Sequence, residues 1–249
     1  MPMTQPFSLM AQVYDAIMKD IDYEGWADAV LEHAAARGWQ GERVLDLGCG
    51  TGNSSIPFYS HGYEVIGLDK SPEMLAIARD KMPVLTFLEA DFRDFCLDLP
   101  VDLVVSMFDS LNNLTEPSDF VRAARCVWET LRPGGLFIFD INTEAGLRDL
   151  WEMGIASGYA GDVYYHWTHT YDDTRKLATV EALCRRGELS FTEVHTERAY
   201  DPAEAQSLLH EAGFEDICVL GFPYGGQPPE DALRVWMSAL KPTASACQS

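Results

Sequence analysis

Positive charge is scarce in this chain. Its 249 residues carry 18 lysines and arginines against 39 aspartates and glutamates, a formal net charge of −21. Such an excess repels phosphate backbones and anionic lipid heads unless a local basic patch overrides it, and the sequence holds no such patch. Nucleic acids and membrane surfaces are therefore not expected partners. No apolar run approaches the roughly 20 residues that a membrane helix needs. The opening M-P-M-T-Q-P-F-S-L-M lacks the basic patch and apolar centre of a signal peptide, so the expected location is cytoplasmic. The cysteines Cys49, Cys96, Cys126, Cys184, Cys218 and Cys247 form no C-x-x-C pair. That spacing suggests neither a zinc knuckle nor a disulfide framework, and reduced thiols without a metal site are expected. Linkers, low-complexity tracts and internal repeats are also missing.

What the sequence does contain is alternation. Short apolar strands near 44–48, 63–69, 84–88, 102–106 and 136–140 each lead towards an amphipathic helix, the pattern of a parallel, doubly wound, Rossmann-like α/β sheet. Ser71-Pro72 reads as an N-cap followed by a first-turn proline, and Pro83 stops that helix. Phe120, Ala124, Val127, Trp128 and Leu131 give the next helix an apolar stripe, which L-R-P-G-G ends. Near the C-terminus, Asp201, Pro202, Glu204 and Gly213 bracket another helix, and I-C-V-L-G and A-L-R-V-W-M-S-A-L read as closing strands.

Two regions interrupt the alternation. Residues 1–40 read as a helical cap. Within 151–200 the runs Y-Y-H-W-T-H-T-Y, L-A-T-V-E-A-L-C and L-S-F-T-E-V-H-T-E-R read as a three-strand antiparallel meander. The expected organisation is thus a cap at 1–40, a ligand-binding core at 41–150, an inserted meander at 151–200, the end of the core at 201–241 and a flexible tail at 242–249.

The densest signal is V-L-D-L-G-C-G-T-G-N-S, Val44 to Ser54. A glycine-rich loop leaving a first strand and starting a helix presents amides and a helix N-terminus to an anionic or polar group. A dinucleotide fingerprint G-x-G-x-x-G would need glycine or alanine at position 53, where Asn53 stands. The loop reads D-x-G-x-G-x-G instead, and Asp69 ends the second strand where an acid can accept both hydroxyls of a ribose.

With E-A-D-F (Glu89 to Phe92), F-D-S-L-N-N after the fourth strand and L-R-P-G-G before the fifth, this order resembles the class I S-adenosylmethionine-dependent methyltransferases over about residues 40–142 and 202–240. Tyr14-Asp15 and the meander resemble more loosely the small-molecule branch that includes sugar-amine and glycine N-methyltransferase-like enzymes. The resemblance implies a seven-stranded sheet with its last strand antiparallel, and S-adenosyl-L-methionine as cofactor with S-adenosyl-L-homocysteine as product. It places the methionine part at Asp46, Gly48, Gly50 and Gly52 with Tyr14 closing on it, the ribose at Asp69 flanked by Lys70 and Met74, and the adenine at Asp91 and Phe92 with Met107 and Phe108 opposite.

Methyl transfer from a sulfonium is an in-line displacement, so the protein chiefly holds the reacting atoms collinear and dry. An amine acceptor needs only to arrive neutral, whereas a hydroxyl benefits from a base. His166, His195, Asp109 and Glu193 are the candidate bases, with His195 and Asp109 taken as catalytic. Asn112, Tyr165, Trp167 and His195 are the expected acceptor contacts. His166 and His169, three apart on a strand, face opposite sides, which argues against a metal pair. The expected activity is methylation of a small-molecule acceptor at nitrogen or oxygen by a monomer or homodimer. The competing readings are a macromolecular acceptor, a non-catalytic S-adenosylmethionine-binding domain and, opposed by Asn53, an NAD-linked oxidoreductase.

Overall fold

The structure, a computed structural model, describes residues 5–152 and 154–243; the expected tail lies almost wholly outside them, as does Cys247. Two helices, α1 (Ala11–Ile17) and α2 (Tyr23–Ala36), precede the first strand. The alternation then runs β1 (Arg43–Leu47), α3 (Ser55–Ser60), β2 (Glu64–Asp69), α4 (Pro72–Lys81), β3 (Thr86–Glu89), β4 (Val101–Ser106), a 3-10 turn (Ser110–Asn113), α5 (Pro117–Thr130) and β5 (Leu131–Asn142). After α6 (Glu144–Glu152) come the meander strands β6 (Ile155–Ala160), β7 (Val163–Asp172), β8 (Leu177–Arg186) and β9 (Leu189–Arg198). Helix α7 (Pro202–Ala212) and strands β10 (Glu215–Gly221) and β11 (Arg234–Leu240) close the chain.

The main sheet has seven strands in the order β10-β11-β5-β4-β1-β2-β3, parallel except for β11, which pairs antiparallel with both neighbours. This is the doubly wound α/β sheet with an antiparallel last strand that the motifs imply. Central strands carry helices on both faces and so have no polar side: all six residues of β4 are buried. Each Leu, Val or Phe so buried contributes roughly 1.5–3 kcal/mol. Caps fix the helix starts. The Ser71 hydroxyl accepts from the Met74 amide and the Asp201 carboxylate from the Ala203 and Glu204 amides. No helix among the described residues is long and apolar enough to cross a membrane.

The meander has four strands, one more than the sequence suggests. The three expected runs are β7, β8 and β9; β6 precedes them. Its sequence I-A-S-G-Y-A has few β-branched or aromatic residues, and it is a strand because β7 offers it a ladder from Ile155↔Thr168 to Ala160↔Val163. Helix α1 packs Met10 and Val13 against Val163, Ala182, Cys184 and Phe191 of the meander. The buried Glu193 carboxylate reinforces this seam, accepting from the amides of Phe7 (2.8 Å), Leu9 (2.6 Å) and Met10 (3.0 Å).

Candidate active site

The parallel ladder of β1 and β2 brings Asp46 opposite Gly67 and leaves both strand ends on one edge. There Gly48 and Gly50 line a cavity of about 240 Å³ together with Tyr14, Asp69, Lys70, Met74, Asp91, Phe92 and Phe108. Gly48 has φ +80°, and a Cβ there would stand 2.8 Å from Ser110 Oγ and 2.9 Å from Phe92 Cζ, so only glycine fits. The Asp69 carboxylate accepts from the Gly50 amide (2.9 Å) and the Ser71 amide (2.8 Å), which joins the ends of the first two strands. Burial pushes its carboxyl up, and the Ser71 and Gly50 amides pull it back. Asp91 also faces the cavity, but Arg93 donates to both of its oxygens, at 2.8 and 2.7 Å. The guanidinium holds that carboxyl down at about 2.

Three residues expected beside the cofactor lie off this cavity. Asp46 is fully buried beneath the loop, where its Oδ2 accepts from the hydroxyls of Ser54 (2.7 Å) and Ser55 (2.6 Å). Burial pushes its carboxyl up to about 6, against the pull of those two hydroxyls. Gly52 turns the loop over Phe87, and Met107 packs in the core with Trp26 and Leu103. Asn53, the residue that breaks the dinucleotide pattern, has a structural task. Its amide oxygen accepts from Lys81 (2.6 Å), and its nitrogen donates to Asp15 of α1 (3.1 Å).

A second cavity of about 290 Å³ lies between α1 and the meander. Trp167, His169, His195 and Glu197 line it from the meander, and Phe7, Tyr14, Met18, Phe108, Asp109 and Glu197 line both cavities. Burial pushes the Tyr14 phenol well above its usual range, helped by Tyr23, Asp109, Asp69 and Asp15, so it is a neutral donor. Phe108 (φ 63°) and Asp109 (φ 48°) are consecutive left-handed residues. Each such non-glycine residue costs on the order of 1–3 kcal/mol, and such strain clusters at functional sites. The surroundings hold the turn: the Asp109 amide donates to Asp140 (2.8 Å), and its carboxylate accepts from Arg234 (2.8 Å) and Asn142 (3.0 Å). Arg234 also pairs with Asp140 and sits over the rings of Phe222 (4.6 Å) and Phe108 (5.0 Å).

Of the residues expected at the acceptor, Trp167, His195 and Asp109 line the second cavity and Tyr165 does not; Tyr165 packs in the seam under α1 with its ring 5.1 Å from Trp167. Asn112 is fully buried and lines neither cavity. Its nitrogen donates to the carbonyls of Asn142 (3.0 Å) and Arg198 (2.7 Å), and its oxygen accepts from the Asn142 amide (3.0 Å). Every polar atom of that side chain is thus spent on backbone. Glu193 is committed to the amides of Phe7, Leu9 and Met10, and His166 lines neither cavity. His195 is 6% exposed; its Nε2 stands 3.3 Å from Glu193 Oε2, out of hydrogen-bonding alignment, and Nδ1 has no hydrogen-bond partner.

Phe7, Asn142, Glu197 and Arg234 also line the site and were not read from the sequence. Glu197 was legible in part: 193, 195 and 197 share one face of a strand, so an acid two residues past His195 shares its cavity. Asp140, which anchors Arg234, stands out as a lone acid in the buried run L-F-I-F-D-I.

Residues 44–135 match the family model described as a methyltransferase domain. The chain is 30% identical over 241 residues to the putative methyltransferase YqeM of Bacillus subtilis, covering 93% of this chain and 95% of that one. It is 28% identical to the dTDP-3-amino-3,4,6-trideoxy-alpha-D-glucopyranose N,N-dimethyltransferase of Streptomyces venezuelae, over 82% of this chain and 86% of that one. Among solved structures, an S-adenosylmethionine-dependent methyltransferase of Clostridium acetobutylicum superposes with a TM-score of 0.82 at 26% identity, covering 94% and 98% of the two chains.

Proposed function

Because the chain belongs to the family of S-adenosylmethionine-dependent methyltransferases, we propose that it methylates a small molecule, at nitrogen or oxygen, in the cavity beneath the meander. The observation that carries this reading is the meeting of the two cavities along the wall formed by Phe7, Tyr14, Met18, Phe108, Asp109 and Glu197. One cavity then serves the donor and the other the acceptor, with transfer across the shared wall.

The first cavity fits the cofactor in the chemistry of its donors. Asp69, held by two amides, keeps lone pairs for ribose hydroxyls. At Gly50 nothing lies within 4 Å of where a Cβ would stand, so a ligand can rest against the backbone. Lys70, Met74, Asp91 and Phe92 complete the adenosine side, and Gly48, Gly50 and Tyr14 face the methionine side. When bound, the sulfonium supplies an already activated methyl group. The protein's part is to orient the acceptor nucleophile in line with the C–S bond and to exclude water. Helix α1, the segment from Phe7 to Met10 and the aromatic walls suit that task.

The Streptomyces relative's name specifies an amino-sugar acceptor, and the second cavity, about 290 Å³ and mainly apolar with a few polar groups, supports a small acceptor of that size class. A cytoplasmic setting accords with this reading. The test is incubation with methyl-labelled S-adenosylmethionine and a panel of amino sugars, amines, phenols and carboxylic acids. Label in the small-molecule fraction is expected. Label confined to added RNA or protein would contradict it.

A further inference from the structure

Glu197 lines both cavities from strand β9, two residues beyond His195 and on the same face. Asp109 lines both cavities with it and Asn142 lines the second, and burial together with the Asp109 carboxyl pushes the Glu197 carboxyl well above its usual range. Two neighbouring carboxyls resist being ionised together, which favours a proton on one of them. The groups facing this pair are Arg234 from β11, Asp140 and Asn142 from β5, Tyr14 from α1, and His169 and His195 from the meander. Arg234 is engaged by Asp140 and Asp109, so three carboxyls meet one guanidinium and Glu197 is the acid left without a cation of its own. A second, independent feature points into the same space: His195, buried and with Nδ1 unpartnered, lines the acceptor cavity. The remaining walls, Met10, Ile17, Trp167, Val180 and Ala182, are largely apolar.

We infer that Glu197, paired with Asp109 at the wall shared by the two cavities, is a catalytic residue that takes the proton from an ammonium acceptor, and that the acceptor class is a primary or secondary amine on a largely apolar or sugar-like skeleton. This deepens the methyl-transfer reading above and rests on it. The balance is complete. The ammonium N–H bond breaks and its proton joins the Glu197 carboxylate, leaving a neutral amine. The nitrogen lone pair then forms the C–N bond to the methyl carbon as the C–S bond breaks and its electrons pass to sulfur. The positive charge ends on the methylated nitrogen, and Glu197 returns its proton to solvent.

The carboxyl pair also chooses between nucleophiles. Burial and Asp109 raise the Glu197 carboxyl well above its usual range, which brings it towards an ammonium but leaves it far too weak to deprotonate an alcohol. With its carboxyl raised, Glu197 favours its protonated form before any ligand arrives. A positive charge in either cavity favours its ionised form, because it lines both. A sulfonium donor should therefore release a proton that the uncharged thioether product does not, and it should gain affinity over the thioether as pH rises through the range of Glu197.

The test is calorimetric titration of the full chain with S-adenosylmethionine and with S-adenosylhomocysteine, at about pH 7 in buffers of different ionisation enthalpy, for wild type and Glu197→Gln. Glutamine keeps the size and polarity of the side chain but cannot take a proton. More proton release with the sulfonium than with the thioether is expected in wild type, and no such difference in the variant. With the best amine of a panel of amino sugars and aralkylamines, each run beside the alcohol of the same skeleton, Glu197→Gln should lower kcat/KM about a hundredfold at about pH 7. The deficit should narrow to within about threefold near pH 10, where the amine arrives neutral.

Equal proton release by the two probes in wild type overturns the assignment, and so does a variant deficit that is the same at both pH values. Turnover of the alcohols in place of the amines overturns the acceptor class. If Glu197→Gln fails to bind S-adenosylhomocysteine, the wild-type comparison decides, since it needs no variant. Failure of wild type to bind either probe would sink the methyl-transfer reading itself, an outcome distinct from binding without the proton difference.

Discussion

The Asp15 carboxylate of helix α1 accepts a 2.6 Å hydrogen bond from the Thr51 hydroxyl of the glycine loop. The same side chain accepts from Asn53 (3.1 Å) and pairs with Lys81 (2.6 Å). On the other side of α1, Glu193 of the meander holds the amides of residues 7, 9 and 10. One short helix thus ties the loop of the first cavity to the roof of the second, and Tyr14 faces both. Asp15→Ala should cost about 1–3 kcal/mol in thermal unfolding and weaken S-adenosylhomocysteine binding about tenfold. Unchanged affinity would mean that the helix does not hold the loop.

Glu193→Ala strips several amides of their acceptor and should cost about 2–4 kcal/mol. Its carboxyl lies below the usual range although burial pushes it up, because His195 and the amides of Met10 and Leu9 outweigh burial. A depressed carboxyl contributes stability that is present above its unfolded value and lost as pH falls through its folded one. Acid titration of unfolding should therefore show wild type losing part of its advantage over Glu193→Ala below about pH 4.5. An advantage independent of pH would contradict this.

Asp46 has the opposite sign. Its folded carboxyl lies at about 6, raised by burial, so the ionised form burdens the fold as pH rises from the unfolded value through the folded one. Its Oδ1 has no hydrogen-bond partner. Asp46→Asn, which can still accept from Ser54 and Ser55, should match wild type below about pH 4 and exceed it by up to about 2–3 kcal/mol above about pH 7. A variant less stable at every pH would show that the loop needs the carboxylate.

For the acceptor side, Trp167→Ala should lower kcat/KM for the small-molecule acceptor at least about tenfold, some 1.4 kcal/mol of transition-state stabilisation. Lost thermal stability with unaltered kinetics would instead assign Trp167 to the packing under α1.

The glycine loop, Asp69 and the order of the strands are legible in the sequence because they are local: a buried apolar strand, a turn that admits no side chain at Gly48, and an acid at the next strand's end. The cluster around Asp109 is not local. Arg234 reaches Asp140 and Asp109 because β11 lies against β5 with Trp236 opposite Asp140 and Arg234 opposite Asn142, a pairing across about ninety residues that no periodicity announces. Asn112 misleads for the same reason. In sequence it is a polar residue after a strand, and only the fold reveals three backbone partners waiting for it. Strand β6 escaped notice because its ladder, not its composition, makes it a strand.

The division of labour between the cavities is tested most directly by calorimetric titration of wild type, Asp69→Ala and Trp167→Ala with S-adenosylhomocysteine. Loss of the carboxylate should weaken binding by about 2–4 kcal/mol, roughly 30- to 1000-fold, while loss of the indole should leave affinity within about twofold. Unchanged affinity in a folded Asp69→Ala, or equal losses in the two variants, would contradict the assignment of the first cavity to the donor and the second to the acceptor.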